Sequence, residues 1–289
     1  HYCSKAEAPV VLANARLSAR PARGYKRFGA LTLPMLQQLE LVAAQSQDDA
    51  ERLICAGANA DDVRVTGSLE FIVDVDKSAQ LPAGVFDAID DSNRVVIIAS
   101  STREGEEEKV LTAFKRVLES HPNTVLLLVP RHPERFDAVA TLVGRMGLRL
   151  GRRSKNDLLT AEMQVYLGDS MGEMMSYYRL ASIAFVGGSL VNTGCQNVLE
   201  PAAFGIPVVT GPSQFNFATI CRQLEAESAL RTVANEKGLA DFLIDLIPDW
   251  ARQAEMGRRG KALVEDNQDS LPALLSLLEP LLAAPSSDA

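Results

Sequence analysis

Residues 183–214, IAFVGGSLVNTGCQNVLEPAAFGIPVVTGPSQ, decide the fold. The apolar run Ile183–Val186 breaks at Gly187, Gly188 and Ser189, and a polar loop follows. The spacing from Gln196 to Phe204 is then helical until Gly205 stops it. A second apolar run, Ile206–Val209, ends in Thr210, Gly211 and Pro212. Short buried strands joined by a helix form a right-handed crossover of a parallel sheet, which binds ligands beyond the carboxyl ends of its strands. Glycines there let backbone approach a ligand. Asn197 and Glu200 share one face near the positive end of the helix, where free N–H groups suit a phosphate or carboxylate. Glu200 suits a sugar hydroxyl better than a phosphate. The spacing supports equally a structural reading in which the glycines make turns, Asn197 caps the helix and Glu200 answers its dipole.

Working outward, Arg94–Ala99, Thr124–Val129, Gln164–Leu167, Ile183–Val186 and Pro207–Val209 read as parallel strands. Helical segments lie between them, clearest at Gly105–His121 and Pro133–Gly147. The common edge gathers Ser100–Arg103, Pro130–His132, Asp169–Gly172, Gly187–Ser189 and Thr210–Gly211, a convergence of small and polar residues typical of a binding crevice. Upstream, Pro9–Ala13, Leu41–Gln45 and Val63–Gly67 read as strands, with a helical pattern over Leu31–Leu41. A helix follows Ser46, its cap, with Asp49 at the capping-box position and Gly57 as its stop. Between Ser68 and Asn93 the periodicity weakens and a linker is expected. Leu230–Ala234 reads as a last strand, before a helical remainder broken by Pro248 and Pro272. The class is α/β.

The chain has 289 residues, enough for two domains, and its net charge of -8 argues against a nucleic-acid partner. Cys3, Cys55, Cys195 and Cys221 stand far apart without metal-ligand spacing, which fits a reducing, cytoplasmic compartment. No apolar run reaches the roughly 18 residues of a membrane span. Because the chain opens on His1 rather than Met, it is expected to be a piece of a longer protein. Arg16, Arg20, Arg23, Lys26 and Arg27 form a local basic cluster, suited to anionic lipid phosphates or a membrane surface, or simply to a solvated loop.

Gly187–Val191, Asn197–Val208, Gly211–Pro212 and Phe215–Phe217 together resemble the signature of the bacterial transferases of 3-deoxy-D-manno-octulosonic acid (Kdo). Asn14–Ser18, Arg131–Arg135 and Gly168–Glu173 agree, in the family's order. The resemblance implies a GT-B glycosyltransferase with two Rossmann-like domains. Residues 1–67 would be the carboxyl-terminal part of the acceptor domain, residues 68–93 the linker and residues 94–270 the donor domain. Residues 271–289 would be a terminal helix, of a kind that often crosses back to the first domain, and a tail. It further implies inverting, metal-independent transfer of Kdo from CMP-Kdo to a lipid A precursor, at the cytoplasmic face of the bacterial inner membrane, with no cofactor. On this view Pro130, Arg131, Ser170, Met171, Gly172, Gly187, Gly188, Ser189, Asn197 and Glu200 bind the donor. Arg16, Ser18, Ser101 and Arg103 are candidate contacts to acceptor or phosphate. His132 reads as a loop anchor.

The family's glutamate base lies ahead of its Asn-Ala-Arg-Leu-Ser motif, and no residue here matches it. Gly194–Asn197 replaces the usual Gly-Gly-His-Asn, bringing in Cys195 and Gln196; Arg103 replaces the histidine of Ser-Thr-His, and Glu70 replaces the lysine of Gly-Asn-x-Lys. These departures bear on donor identity and acceptor choice. The rival readings are a GT-B enzyme using a UDP-sugar, as transferase or epimerase, and a non-catalytic CMP-binding fragment.

Overall fold

In a computed structural model the described residues are 3, 8–18, 21, 24–25, 28–75 and 94–283. Arg20, Arg23, Lys26 and Arg27 of the basic cluster, most of the expected linker and the tail from Pro285 fall outside them. The chain divides into two compact units, one of residues 1–72 with 266–289 and a second of residues 73–265.

The first unit contains a parallel sheet of β1 (Val11–Ala15), β2 (Leu41–Ala44) and β3 (Val63–Val65), in that order. Helices α1 (Gly29–Leu36) and α2 (Gln47–Ala56) connect the strands. Helix α2 starts where the sequence predicts, because the Ser46 hydroxyl accepts the Asp49 N–H, and ends on Gly57 at φ 119°. Strand β1 runs further than its apolar run suggests, to Ala15. Asn14 tolerates φ 52° at an irregularity in the register, a conformation few residues other than glycine accept. There its side chain accepts the Leu69 N–H at 3.1 Å. Residues 69–71, expected as linker, instead form a 3₁₀ turn that buries Phe71.

The second unit is built on seven parallel strands. In chain order they and their helices are β4 (Val95–Thr102), α3 (Glu107–Ser120), β5 (Thr124–Pro130), α4 (Phe136–Arg145), β6 (Leu150–Arg152), β7 (Val165–Leu167), α5 (Met174–Leu180) and β8 (Ile183–Val186). Then come α6 (Leu199–Ala203), β9 (Val208–Thr210), α7 (Ala218–Ala226), β10 (Leu230–Thr232), α8 (Glu236–Leu246) and α9 (Trp250–Glu265). The sheet order is β10-β9-β8-β4-β5-β7-β6. Alternate residues of β4 and β5 feed two cores. Ile97, Leu126 and Leu128 enter one, and Val96, Ile98, Val125 and Leu127 the other. Burial on both faces explains why these strands read as continuous apolar runs rather than alternations. The chain winds outward from β4 through β5 to β6 and β7, then returns to β4's other side as β8. The connections that follow β4 and β8 therefore lead away in opposite directions along the sheet, and sheets of this kind bind ligands in the crevice at such a switch point.

Two expectations are corrected. Strand β6 has no counterpart in the sequence reading; it is three residues long with Gly151 at its centre, where a Cβ would lie 2.5 Å from Met163 Sδ. Helix α6 begins at Leu199, not Gln196, because the Gln196 N–H donates to the Gly187 carbonyl at 2.9 Å and holds residues 196–198 out of the helix. The cysteines are also closer than their spacing suggests, since Cys195 and Cys221 lie buried with sulfurs 3.8 Å apart. A last helix, α10 (Ser270–Ala283), packs with the first unit, the Ser270 hydroxyl donating to the Ser68 carbonyl at 3.1 Å.

Helix α9 reaches α6 through a glycine contact: a Cβ on Gly257 would sit 1.8 Å from the Gly205 carbonyl oxygen. Gly257→Ala should therefore destabilise the second unit by about 3 kcal/mol in urea unfolding. Gly144→Ala, which meets nothing within 4 Å, should leave stability unchanged or raise it by about 0.5 kcal/mol. Equal midpoints for the two variants would refute this packing account.

Candidate functional site

The carboxyl ends of β8, β4 and β5 lie side by side and are laced by main-chain bonds. The Gly187 N–H donates to the Ser100 carbonyl at 2.8 Å, and the Arg131 N–H to the Thr102 carbonyl at 3.0 Å. A Cβ on Gly187 would fall 2.6 Å from the Ser101 oxygen, so only glycine fits this approach. Ser101 itself sits at φ 52°, in a bulge of β4. Such left-handed strain in a residue other than glycine often marks a functional edge.

The residue that fixes this edge is one the sequence does not single out. Glu106 is fully buried, and its carboxylate accepts the N–H groups of Gly188, Ser189 and Leu190 at 2.6, 3.0 and 2.8 Å, and that of Arg103 at 3.1 Å. Burial pushes its pKa above the ordinary carboxylate range, against the pull of these amide donors. The amides of Gly188 and Ser189, expected to face a donor, are thus spent on a carboxylate of the chain itself. Lys109 Nζ adds a bond to the Leu190 carbonyl at 2.9 Å. Beside it Glu107, also buried, accepts both arms of Arg135 and the Thr102 hydroxyl. Arg135, quoted above as part of a motif, is therefore a structural anchor.

At the β5 end, the guanidinium of Arg103 contacts His132 Nε2. His132 Nδ1 faces Glu134 at 3.7 Å, so the loop-anchor role suits it. Arg131 is exposed and exerts its field on Glu200. Glu200 is hydrogen-bonded to Tyr178 and accepts from Asn197 Nδ2 at 3.3 Å. Burial raises the Glu200 pKa, while Asn197, Arg131 and Tyr178 oppose the rise. Asn197 Oδ1 meanwhile accepts the Leu199 N–H at 3.0 Å from one residue ahead of the N-cap, which is Val198, so Asn197 is not the cap expected of it, and its amide lies beside Glu200.

After β7, the carboxylate of Asp169 is gripped by Arg152 Nε at 2.7 Å, and by the Ser154 N–H and hydroxyl at 2.7 and 2.6 Å. Glu173 accepts from Arg153, Ser170 and Tyr177. Burial would raise both pKa values, but these donors and cations prevail and hold them below the ordinary range. Ser170 is thereby engaged. Met171 is 65% exposed, and a Cβ on Gly172 (φ 82°) would meet nothing within 4 Å, so this turn stands open.

The fold brings Ser101, Arg103, Pro130, Arg131, Gly187, Gly188, Ser189, Asn197 and Glu200 to one edge, with Ser170–Gly172 following β7 of the same sheet. Arg16 and Ser18 belong to the other unit. There the Asn14–Ser18 stretch is pinned by α2, with the Leu17 N–H donating to Asp49 at 2.9 Å and Arg52 to the Leu17 carbonyl at 3.3 Å. Ser18 is exposed, as is Glu70 of the same unit. What the sequence missed are Glu106, Glu107, Arg152 and Arg153. Their one signal is acidic or basic repetition, which looks like a solvated face until their partners, up to 84 residues away, are known.

Residues 86–263 match the family model described as glycosyl transferases group 1. The chain belongs to this family. Residues 1–73 match the model of 3-deoxy-D-manno-octulosonic-acid transferase, in line with the Kdo transferase likeness read from the sequence. A Kdo transferase of Haemophilus influenzae is 38% identical over 95% of this chain and 64% of its own length. One from Bordetella pertussis is 37% identical over 94% and 63%. The chain thus spans less than two thirds of these relatives. Among solved structures, the C-terminal CMP-Kdo binding domain of WaaA from Acinetobacter baumannii is 36% identical, with TM-score 0.57, covering 61% of this chain and 94% of that one. HepE from Anabaena, in complex with UDP and glucose, is 16% identical with TM-score 0.54 over 97% and 73%, and shows the shared fold.

Because the folded-state pKa values of Asp169 and Glu173 lie below their ordinary 3.8 and 4.5, they stabilise the protein above those values. That stabilisation is lost as pH falls through the depressed folded-state values. Thermal melts should therefore drop steeply below about pH 4. Asp169→Asn should flatten that acid limb and cost about 2 kcal/mol at neutral pH, since it takes the buried carboxylate from Ser154 and Arg152 and leaves Arg152 only the exposed Asp137. An unchanged acid limb in the variant would refute the assignment.

Proposed function

We propose that this chain is part of a Kdo transferase that moves Kdo from CMP-Kdo to a lipid A precursor in lipopolysaccharide synthesis. The observation that carries the reading is that the second unit, with its crevice at the β8/β4/β5 edge, matches a solved CMP-Kdo binding domain at 36% identity over 94% of that domain. The same edge holds a cation, an amide and a half-buried carboxylate suited to an anionic sugar nucleotide.

In this reading Arg131 is the exposed counter-charge for the donor, binding its phosphate or the sugar carboxylate through paired N–H groups and stabilising charge on CMP as it leaves. Glu200, held by Tyr178 and Asn197, accepts a hydrogen bond from a sugar hydroxyl. Asn197 keeps that carboxylate oriented. The open turn at Met171 and Gly172 receives the phosphate or the cytosine edge through its N–H groups. Ser170 and Pro130 shape its approach. Gly187, Gly188 and Ser189 serve as a fixed wall rather than as amide donors. No group in this scheme requires a metal or a cofactor: inversion needs a base for the acceptor hydroxyl, which the resemblance places in a glutamate ahead of Asn14. Arg16 and Ser18, with the neighbouring basic residues, would face acceptor phosphates and the cytoplasmic surface of the inner membrane.

Calorimetric titration tests the donor reading. CMP should bind the wild-type chain, UDP at the same concentration should not, and an Asn197→Ala, Glu200→Ala double variant should lose at least about tenfold in affinity. CMP binding indifferent to the double variant would remove the site assignment. UDP binding in place of CMP would favour a UDP-sugar enzyme.

A further inference from the structure

Helix α5 carries two buried tyrosines side by side, and each hydroxyl goes to a different carboxylate of the candidate site. Tyr177 and Tyr178 are 1% and 2% exposed and share one core with Tyr166. Successive residues of a helix point about 100° apart, so the two rings part and their hydroxyls reach separate targets. The Tyr177 hydroxyl donates to Glu173 Oε2 at 3.1 Å and lies 3.3 Å from Ser170 Oγ. The Tyr178 hydroxyl is bonded to Glu200 and to Ser100. Helix α5 packs on β4 and on α6, the elements that carry Ser100 and Glu200.

A hydroxyl at the end of a buried ring costs free energy unless it finds a partner, and phenylalanine would fill the same space without that cost. The packing is built around these rings. A Cβ on Gly168 would fall 3.0 Å from Tyr177 Cε2, and Phe204 backs Tyr178 with ring centroids 6.0 Å apart. Burial pushes both phenols above their ordinary range, so both keep their protons at neutral pH and can donate them. Their acceptors stand at two places on the donor edge. Glu173 adjoins the open turn at Met171 and Gly172, and its carboxylate also takes the Ser170 hydroxyl. Glu200 stands beside the Asn197 amide, and the Ser100 carbonyl takes the Gly187 N–H. One short helix thus holds both places from beneath.

We propose that Tyr177 and Tyr178 are positioning residues of the donor site, Tyr178 aiming Glu200 at the sugar nucleotide and Tyr177 fixing the turn that ends in Glu173. Neither ring touches the ligand. The ligand's identity rests on the donor reading above; the link from Tyr178 to Glu200 rests on the protein alone.

Titration of the Glu200 carboxyl followed by carbon nuclear magnetic resonance, its signal assigned by loss in Glu200→Gln, reads that link without any ligand. Glu200 is faced by Arg131 from the end of β5, by Asn197 from the turn ahead of α6 and by Tyr178 from α5. A donated hydroxyl favours the ionised carboxylate, so Tyr178→Phe should raise the midpoint and Tyr177→Phe should leave it in place. Calorimetry with CMP reads the consequence for binding. Tyr178→Phe and Tyr177→Phe should each weaken CMP about fivefold, and Tyr178→Phe should add no loss in a Glu200→Gln background. Tyr166→Phe removes a hydroxyl of the same core, one that donates to the Asp157 carbonyl at 3.0 Å, and should bind CMP as the wild type does. If the wild type binds no CMP yet the midpoint rises in Tyr178→Phe, the donor reading fails and the link stands. An unmoved midpoint overturns the link. Wild-type CMP affinity in Tyr178→Phe, a further loss in the Glu200→Gln background, or an equal loss in Tyr166→Phe overturns the positioning role of Tyr178, and wild-type affinity in Tyr177→Phe overturns that of Tyr177.

Discussion

The candidate site depends on one buried carboxylate. Glu106 gathers the amides of Gly188, Ser189, Leu190 and Arg103 around two oxygens, joining the loop after β8 to the turn after β4. Glycine-rich turns at strand ends commonly expose such amides to a ligand's phosphate. Here the anion is supplied from within the chain, so the turn is rigid before any ligand arrives. The resulting wall carries no free charge of its own, and the cations of this edge, Arg131 and Arg103, stand on the neighbouring strand ends.

The titrating groups of the second unit fall into two kinds. Asp169 and Glu173 are surrounded by arginines and hydroxyls, which lower their pKa values, and tie the segment around Arg152 and Ser154 to the turn that precedes α5. Glu106 is buried and Glu200 half-buried, each with fewer opposing charges, and their pKa values are raised. The first kind builds the frame; of the second, Glu106 lies behind the edge and Glu200 beside it, each a carboxylate that is costly to ionise and accepts hydrogen bonds.

The departures from the Kdo transferase pattern gain structural sense. Cys195 is withdrawn from the crevice into the core beside Cys221, where the contact between the two sulfurs, together with burial, raises the Cys221 thiol pKa. Gln196 uses its main chain to brace Gly187, and its side chain reaches back to the Gly194 carbonyl at 3.4 Å. Arg103 places a delocalised cation where the pattern has an imidazole. Glu70 is exposed in a 3₁₀ turn of the other unit, and nothing in that turn explains the exchange of a cation for an anion.

By itself the sequence determined the class of fold, most strand positions and the sheet edge on which small and polar residues gather. Apolar runs, glycines at strand ends and caps such as Ser46 are local signals whose physics acts within a few residues. Asn197 and Glu200 were legible as a pair because they stand three apart where the helix starts, although the Asn197 amide reaches Glu200 from the turn ahead of the helix. The tertiary structure alone decided the sheet order, the existence of β6 around Gly151, the short start of α6, the meeting of Cys195 with Cys221, and the choice of Glu106 among a run of acidic residues. Each of these rests on partners distant along the chain. A carboxylate that will be buried on four amides and one that will stay in water have the same local sequence signature, and only the packed sheet brings the amides to one of them.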